Sequence, residues 1–323
     1  MIIAMRINVL VLDKVFDSGL SVVLDAFQTA NELIAMAELD VPRFEVKVTG
    51  VRDSVKTSLG FSVPLSARGW HSPDCVVLPA IGFKMPDALE KALVRSDVQD
   101  AGKQLRQWAR RDVTMSAACI GTFVMAESGL LDHQRATTTW WLSSMFRQRY
   151  PAVSLDESNM IVTSGKFVTA GAALSHIDLA LWIIRNASPQ LASLTGKYLI
   201  VDSRPSQSAY SLTDHIVHSD PIVQRFEEWA RARLDQGFSL DDAARATGSS
   251  KRTLARRMQT VLGRSPLSYF QNLRVERAVY LLQTGDVSVD EAAVRVGYSD
   301  GTTLRNLLRS RLHIGIKEIK RAE

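Results

Sequence analysis

At 323 residues, with 46% apolar and 23% charged residues, 18 glycines and 10 prolines, the chain has ordinary globular composition and length for two cored domains. That excludes a small stapled scaffold, a fibre and a disordered tail, and two cysteines exclude a disulfide framework and a Cys-rich zinc site. The net charge of +5 is uneven: residues 214–323 hold 18 Lys/Arg against 14 Asp/Glu, and Lys251 to Arg277 hold seven cations against Glu276 alone. A polyanion fits that stretch, although a merely solvated basic helix face would look the same.

Taken from the start, Arg6, Asp13 and Lys14 interrupt a short apolar run, so residues 6–12 read as a first strand rather than a signal peptide. The richest apolar run, 177–184, contains Asp178 and is too short for a membrane span, so no membrane partner is expected. Residues 19–37 carry Leu20, Val23, Leu24, Phe27, Leu33 and Ile34 at helical spacing, and 44–51 alternate as a strand does. Residues 75–78 predict a buried strand, 87–110 a helix, and 113–118 a strand leading into Cys119. A helix over 121–131, a strand over 136–141, a helix over 142–148, a strand pair at 160–169 and a helix over 172–185 complete the region. Such alternation implies a doubly wound, flavodoxin-like α/β domain over 1–190, whose ligand site lies at the carboxyl ends of the strands.

Residues 201–213 are rich in serine and lack apolar periodicity, which places an interdomain linker within 191–215. Residues 216–323 read as all-helical. Ser239 to Asp242 and Ser288 to Glu291 resemble capping boxes, Ser249 and Ser250 can cap another helix, and Gly248, Gly263 and Gly297 end theirs. Ser265-Pro266 opens a longer helix that stops near Gly285, and a last helix runs from about Gly301 to Leu312. Helix, tight turn and helix thus occur twice, joined by one long helix. On duplex DNA that arrangement sets two recognition helices into successive major grooves. Burying Leu254, Met258 and Val261 turns Lys251, Arg252, Ala255, Arg256 and part of Arg257 outward, where arginine can read guanine and lysine can hold phosphate. The second unit offers Thr302, Arg305 and Asn306.

The run from Leu240 to Arg321 resembles the double helix-turn-helix domain of the AraC/XylS regulators. The resemblance lies in Leu254-Ala255-Arg256, Gly263-Arg264-Ser265-Pro266 with Tyr269, Arg274 with Ala278 and Leu281-Leu282, Glu291-Ala292-Ala293, and Val296-Gly297-Tyr298-Ser299-Asp300. It implies double-stranded promoter DNA and RNA polymerase as partners, and a cytoplasmic, nucleoid-associated regulator, more often an activator. Carried over by position, base contacts fall on Arg252, Ala255 and Arg256, and on Gly301, Thr302, Arg305 and Asn306. Two departures stand out: Asn306 replaces a usual arginine, and His313 to Ile319 replace the usual closing motif. The second unit is therefore expected to position rather than specify.

Met115 to Trp140 resembles the PfpI-type, class I glutamine-amidotransferase-like sensor domain of GlxA-type AraC regulators, and Arg204-Pro205 with Gln207 resembles that group's interdomain segment. Cys119, between a strand and a helix, has the setting of a nucleophile elbow. Enzymes of the superfamily commonly place histidine next to the cysteine, where this chain has Ile120, and similar regulators carry histidine where it has Thr139. None of the six histidines forms a motif with Cys119, so no enzyme is expected. The favoured role for Cys119 is a wall of a ligand pocket completed, by fold analogy, by Asp17, Ile120, Thr139 and Trp140. A small effector is implied, an amine or amino-acid metabolite by resemblance to regulators of such catabolism, together with a homodimer. No metal spacing or phosphate loop occurs, and no cofactor is expected. Two rivals stay open: a Cys-dependent hydrolase or amidase fused to a DNA-binding domain, and a ligand-independent DNA-binding protein whose first domain only dimerises.

Overall fold

The computed structural model describes residues 4–67, 69–201, 204, 207, 218, 220–284, 287–312, 316 and 319. They divide into two units, residues 1–142 with 149–207, and residues 208–323 with 143–148. In the first, β1 (Met5–Val11), α1 (Asp17–Met36) and β2 (Phe44–Gly50) form the expected βαβ start. A small hairpin of β3 (Val55–Lys56) and β4 (Ser62–Val63) follows, then β5 (Cys75–Leu78), α2 (Pro86–Leu93), α3 (Ser96–Ala109), β6 (Thr114–Ala118) and α4 (Gly121–Glu127). Along the chain follow β7 (Arg135–Ala136), a 3-10 turn (Trp140–Leu142), α5 (Ser143–Arg149, of which 143–148 belong to the second unit), β8 (Ser154–Leu155), β9 (Ile161–Ser164), β10 (Phe167–Ala170), α6 (Ser175–Ala187) and α7 (Pro189–Tyr198).

The main sheet runs β2-β1-β5-β6-β10-β9, parallel throughout except where β9 joins β10 antiparallel at the edge. A strand such as β5, buried at all four positions, reads as a continuous apolar run because helices cover both faces of the sheet. α1 and α6 supply much of one core, with Phe27, Leu33, Ile177 and Ile183 among its members.

Three departures from the sequence reading have tertiary causes. The helix expected over 87–110 breaks at Arg95, whose extended backbone lets its guanidinium reach the Asp13 carbonyl at 2.8 Å and the Asp97 carboxylate. The strand expected over 136–141 shrinks to β7, because the Thr137 N–H donates to the Thr169 hydroxyl at 2.8 Å and leaves the ladder. α7 occupies residues expected in the linker. Ser188 caps it, and Leu191 is fully buried in the sheet's core.

The second unit contains α8 (Pro221–Arg231), α9 (Leu240–Ala246), α10 (Lys251–Leu262), α11 (Pro266–Thr284), α12 (Val289–Arg295) and α13 (Gly301–Leu312). α8 had no counterpart in the sequence reading. The predicted caps are in place: Ser239, Ser250 and Ser288 accept the N–H groups of Asp242, Thr253 and Glu291 at 3.2, 3.1 and 3.1 Å. Gly263 ends α10 at φ 66°, a left-handed turn that a side chain would strain. Leu254, Met258 and Val261 are buried as the spacing predicts, and Ala292, Ala293, Leu304 and Leu308 form a second core with the end of α11. At 1.5 Å per residue α11 spans about 28 Å, a rigid spacer between the two helix pairs. The expected stop at Gly285 and most of the stretches 201–213 and 313–319 lie outside the described residues.

Candidate nucleic-acid interface and effector pocket

On α10 the side chains Lys251, Arg252 and Arg256 are exposed, and Ala255 and Arg257 are half-buried. Arg252 and Arg256, four residues apart, share one helix face opposite the buried Leu254 and Met258. The other two cations are engaged: Lys251 pairs with Asp241 at 2.9 Å in a well-solvated contact, and Arg257 pairs with Asp220, the N-cap of α8. Arg274, counted among the seven cations of the basic stretch, is 7% exposed and turned inward. Its Nε donates to the Leu234 carbonyl at 2.9 Å, a second nitrogen donates to the Gln236 carbonyl, and the Phe270 and Tyr298 rings flank it at 4.7 and 5.0 Å.

On α13, Thr302, Arg305 and Asn306 are exposed on one face, and Arg309 extends that face by one turn. Arg309 was missed, although its spacing from Arg305 and Asn306 was visible in the sequence. Gly301 differs. It is buried, its N–H donates to Asp290 Oδ1 at 2.9 Å, and a Cβ there would sit 2.5 Å from the same oxygen. It therefore joins α12 to α13 instead of facing outward. Asp300 caps the helix through the Thr303 N–H at 2.9 Å, which with the Ser299 and Thr303 hydroxyls holds its carboxyl below the usual range.

In the first unit Cys119 follows β6 at φ 55°, a left-handed conformation that is strained for a residue with a side chain. The turn is locked from several sides. The Cys119 N–H donates to the Ala170 carbonyl at 2.8 Å, its carbonyl accepts the Thr138 hydroxyl at 2.8 Å, and a Cβ at Gly121 would strike the Leu78 carbonyl. Ile120 and Thr139 are buried with Cys119, and Thr139 lies against the thiol. Trp140, half-buried, packs edge-on against Trp141 at 5.6 Å. Asp17 turns to the β3–β4 hairpin, accepting the Ser58 hydroxyl at 2.6 Å and the Leu59 N–H at 3.1 Å. Burial pushes its carboxyl up, but the Ser58 and Thr57 hydroxyls and the Leu59 N–H prevail and hold it below the usual range. The structure thus gathers Cys119, Ile120 and Thr139, and ties Asp17 to a different partner. Among the described residues, Thr122 Oγ1 and Thr139 Oγ1 are buried polar atoms without a hydrogen-bond partner.

Burial pushes the Cys119 thiol up to about 12, against smaller opposing effects from the Ile120 N–H, Thr139 and Lys84. It is a thiol, not a thiolate, at neutral pH. His176, fully buried near the strand ends, accepts the Ala80 N–H on Nε2 at 3.0 Å, and its Nδ1 lies 2.6 Å from the Ala173 carbonyl. With both nitrogens engaged, and its pKa lowered by burial to about 4, it has no lone pair free to act as a base. Native-state alkylation of Cys119 by iodoacetamide at pH 8 is accordingly expected to run at least about 100-fold slower than that of a free thiol and to climb with pH beyond 10. A rate that levels off below pH 8, read by peptide mass spectrometry, would show an activated nucleophile instead. Among the described residues no group of three His, Cys, Asp or Glu side chains is placed to hold a metal, and no helix is long and apolar enough to cross a membrane.

Residues 5–186 match the DJ-1/PfpI family and residues 243–322 match a helix-turn-helix domain. The first match covers more than half of the chain, which belongs to the DJ-1/PfpI family and carries an AraC-type helix-turn-helix domain after it. It is a DNA-binding transcriptional regulator with a PfpI-like ligand-binding domain. Among its relatives, the HTH-type transcriptional regulator CdhR of Pseudomonas aeruginosa is 29% identical over 235 residues, 71% of this chain and 67% of that protein. The HTH-type transcriptional regulator ArgR of the same organism is 24% identical over 260 residues, 76% of each. The crystal structure of an AraC family transcriptional regulator from Pseudomonas putida covers 60% of this chain and 99% of its own at 16% identity and a TM-score of 0.50, a likeness of fold. These relatives are named as transcriptional regulators.

Proposed function

We propose that the chain is an effector-controlled regulator of promoter DNA, acting as a homodimer and activating transcription through RNA polymerase. α10 is its principal reader of sequence, with Arg252, Ala255 and Arg256 at base edges, while Thr302, Arg305 and Asn306 of α13 set position. The observation that carries this reading is the exposed pair Arg252 and Arg256, without an ion-pair partner among the described residues, on one face of a capped helix whose opposite face is buried. Lys251 and Arg257, held by carboxylates, serve as phosphate contacts only once those pairs open. The effector is a small amine or amino-acid metabolite in the pocket of Cys119, Ile120, Thr139 and Trp140. It acts through unequal affinity for two arrangements of the protein.

Footprinting and affinity at graded salt test the DNA half. Affinity is expected to fall roughly 10-fold or more between 50 and 200 mM salt through counterion release, and a salt-insensitive association would overturn the phosphate contacts. Thermal-shift screening of amines and amino acids tests the other half, since a ligand at 100 times its dissociation constant adds about 2.7 kcal/mol. Thr139→Val should abolish the shift. Arg52→Gln should not, because it alters a separate polar cavity of about 690 Å³ lined by Thr49, Arg52, Trp70, His71 and Lys103. The reverse pattern would move the effector to that cavity. If no metabolite changes DNA affinity or transcription, effector control fails.

A further inference from the structure

The interdomain segment is not simply a tether, because two of its side chains are seated in the sheet-bearing unit. Arg204 donates to Asp178 of α6 at 2.5 Å and to the Leu174 carbonyl at 3.1 Å. Gln207 is fully buried. Its Nε2 donates to the Thr137 hydroxyl at 3.0 Å and to the Thr138 carbonyl at 3.1 Å, while its backbone N–H donates to the Ser158 carbonyl at 2.9 Å. The amide fills the space above Gly171, where a Cβ would sit 2.5 Å from Gln207 Oε1.

The seat adjoins the elbow. Thr138, whose carbonyl accepts from Gln207, gives its hydroxyl to the Cys119 carbonyl at 2.8 Å, and Thr139 lies against the Cys119 thiol. One three-residue segment therefore touches the interdomain chain on one side and the effector pocket on the other. Among the described residues Gln207 Oε1 is buried without a partner, so the dock they form is weaker than a fully bonded amide would make it.

We propose that Arg204 and Gln207 form a latch that fastens the interdomain segment beside the effector pocket, so that pocket occupancy and the seating of these two side chains are coupled in free energy. The inference rests on the reading of the first unit as the effector domain.

Hydrogen exchange of the full chain tests it. Gln207→Ala is expected to speed exchange of the residue-207 amide about 10-fold or more and, by reciprocity, to speed the Cys119 amide several-fold. Thr138→Val, which removes only the bond to the Cys119 carbonyl, should also loosen residue 207, and the double variant should match the larger single effect. Thr195→Val, which breaks a comparable buried bond to the Leu191 carbonyl, should alter neither peptide. Gln207→Glu should reproduce these effects with the size of the side chain kept. Unchanged protection at residue 207 in Thr138→Val, or additive effects in the double variant, would overturn the latch and leave the effector reading intact. Coupled exchange in a protein whose DNA affinity no metabolite alters would support the latch and sink the effector reading.

Discussion

Arg274→Ala is expected to destabilise the helical unit by about 3 to 4 kcal/mol. The guanidinium is the hydrogen-bond partner of the Leu234 and Gln236 carbonyls at the end of the α8 segment. Each buried acceptor left unpaired costs about 1–3 kcal/mol, less whatever entering water restores. Two ring contacts add about 0.5–1 kcal/mol each, since Phe270 belongs to α11 and Tyr298 to the turn before α13, so one side chain ties both helix pairs together. Gly297, at φ 79°, lies so close to the guanidinium that a Cβ there would collide with it. Arg274→Lys keeps the charge but not the planar fork, and should recover less than half of the loss. Urea unfolding should show the transition of the helical unit moving while that of the sheet unit stays in place. A shift under 1 kcal/mol would mean that the carbonyls find other partners.

Arg256→Ala is expected to weaken binding to the operator by about 1–3 kcal/mol, roughly 5- to 150-fold, with relaxed discrimination at one base pair. The side chain is exposed, has no carboxylate partner among the described residues, and projects from a helix whose first turn is pinned by Ser250. Asn306→Ala should give a smaller loss spread evenly across sequences, because the amide stands where a longer, charged arginine is usual. Equal, large and base-selective losses at both positions would end the proposed asymmetry between the two units. Arg257→Ala provides a contrast: the ion pair with Asp220 must open before this arginine can meet phosphate, so its loss should lower the salt slope by less than one counterion.

Much of the molecule was legible from local spacing. Ser239, Ser250 and Ser288 each cap a helix through a bond three residues along the chain, and Leu254, Met258 and Val261 repeat with the helical period. Interactions that span three or four residues are written in the order of the residues, and for that reason the paired helix-turn-helix units and the strand leading into Cys119 could be read before any coordinates. What lay beyond the sequence depends on partners distant along the chain. Arg274 reads as one more surface cation until carbonyls about 40 residues earlier draw it inward, at separations of 40 and 38 positions. Asp17 reads as a wall of the pocket until the hairpin at Ser58, 41 positions away, occupies one of its oxygens. The seat of Gln207 joins residues 70 positions apart. Composition and periodicity determined most of the elements, though not the break at Arg95, the shortness of β7, or α7 and α8. Only the packing of those elements decided which charges stay free for DNA and which are spent holding the protein together, because a charge's availability is set by the neighbours that folding brings to it.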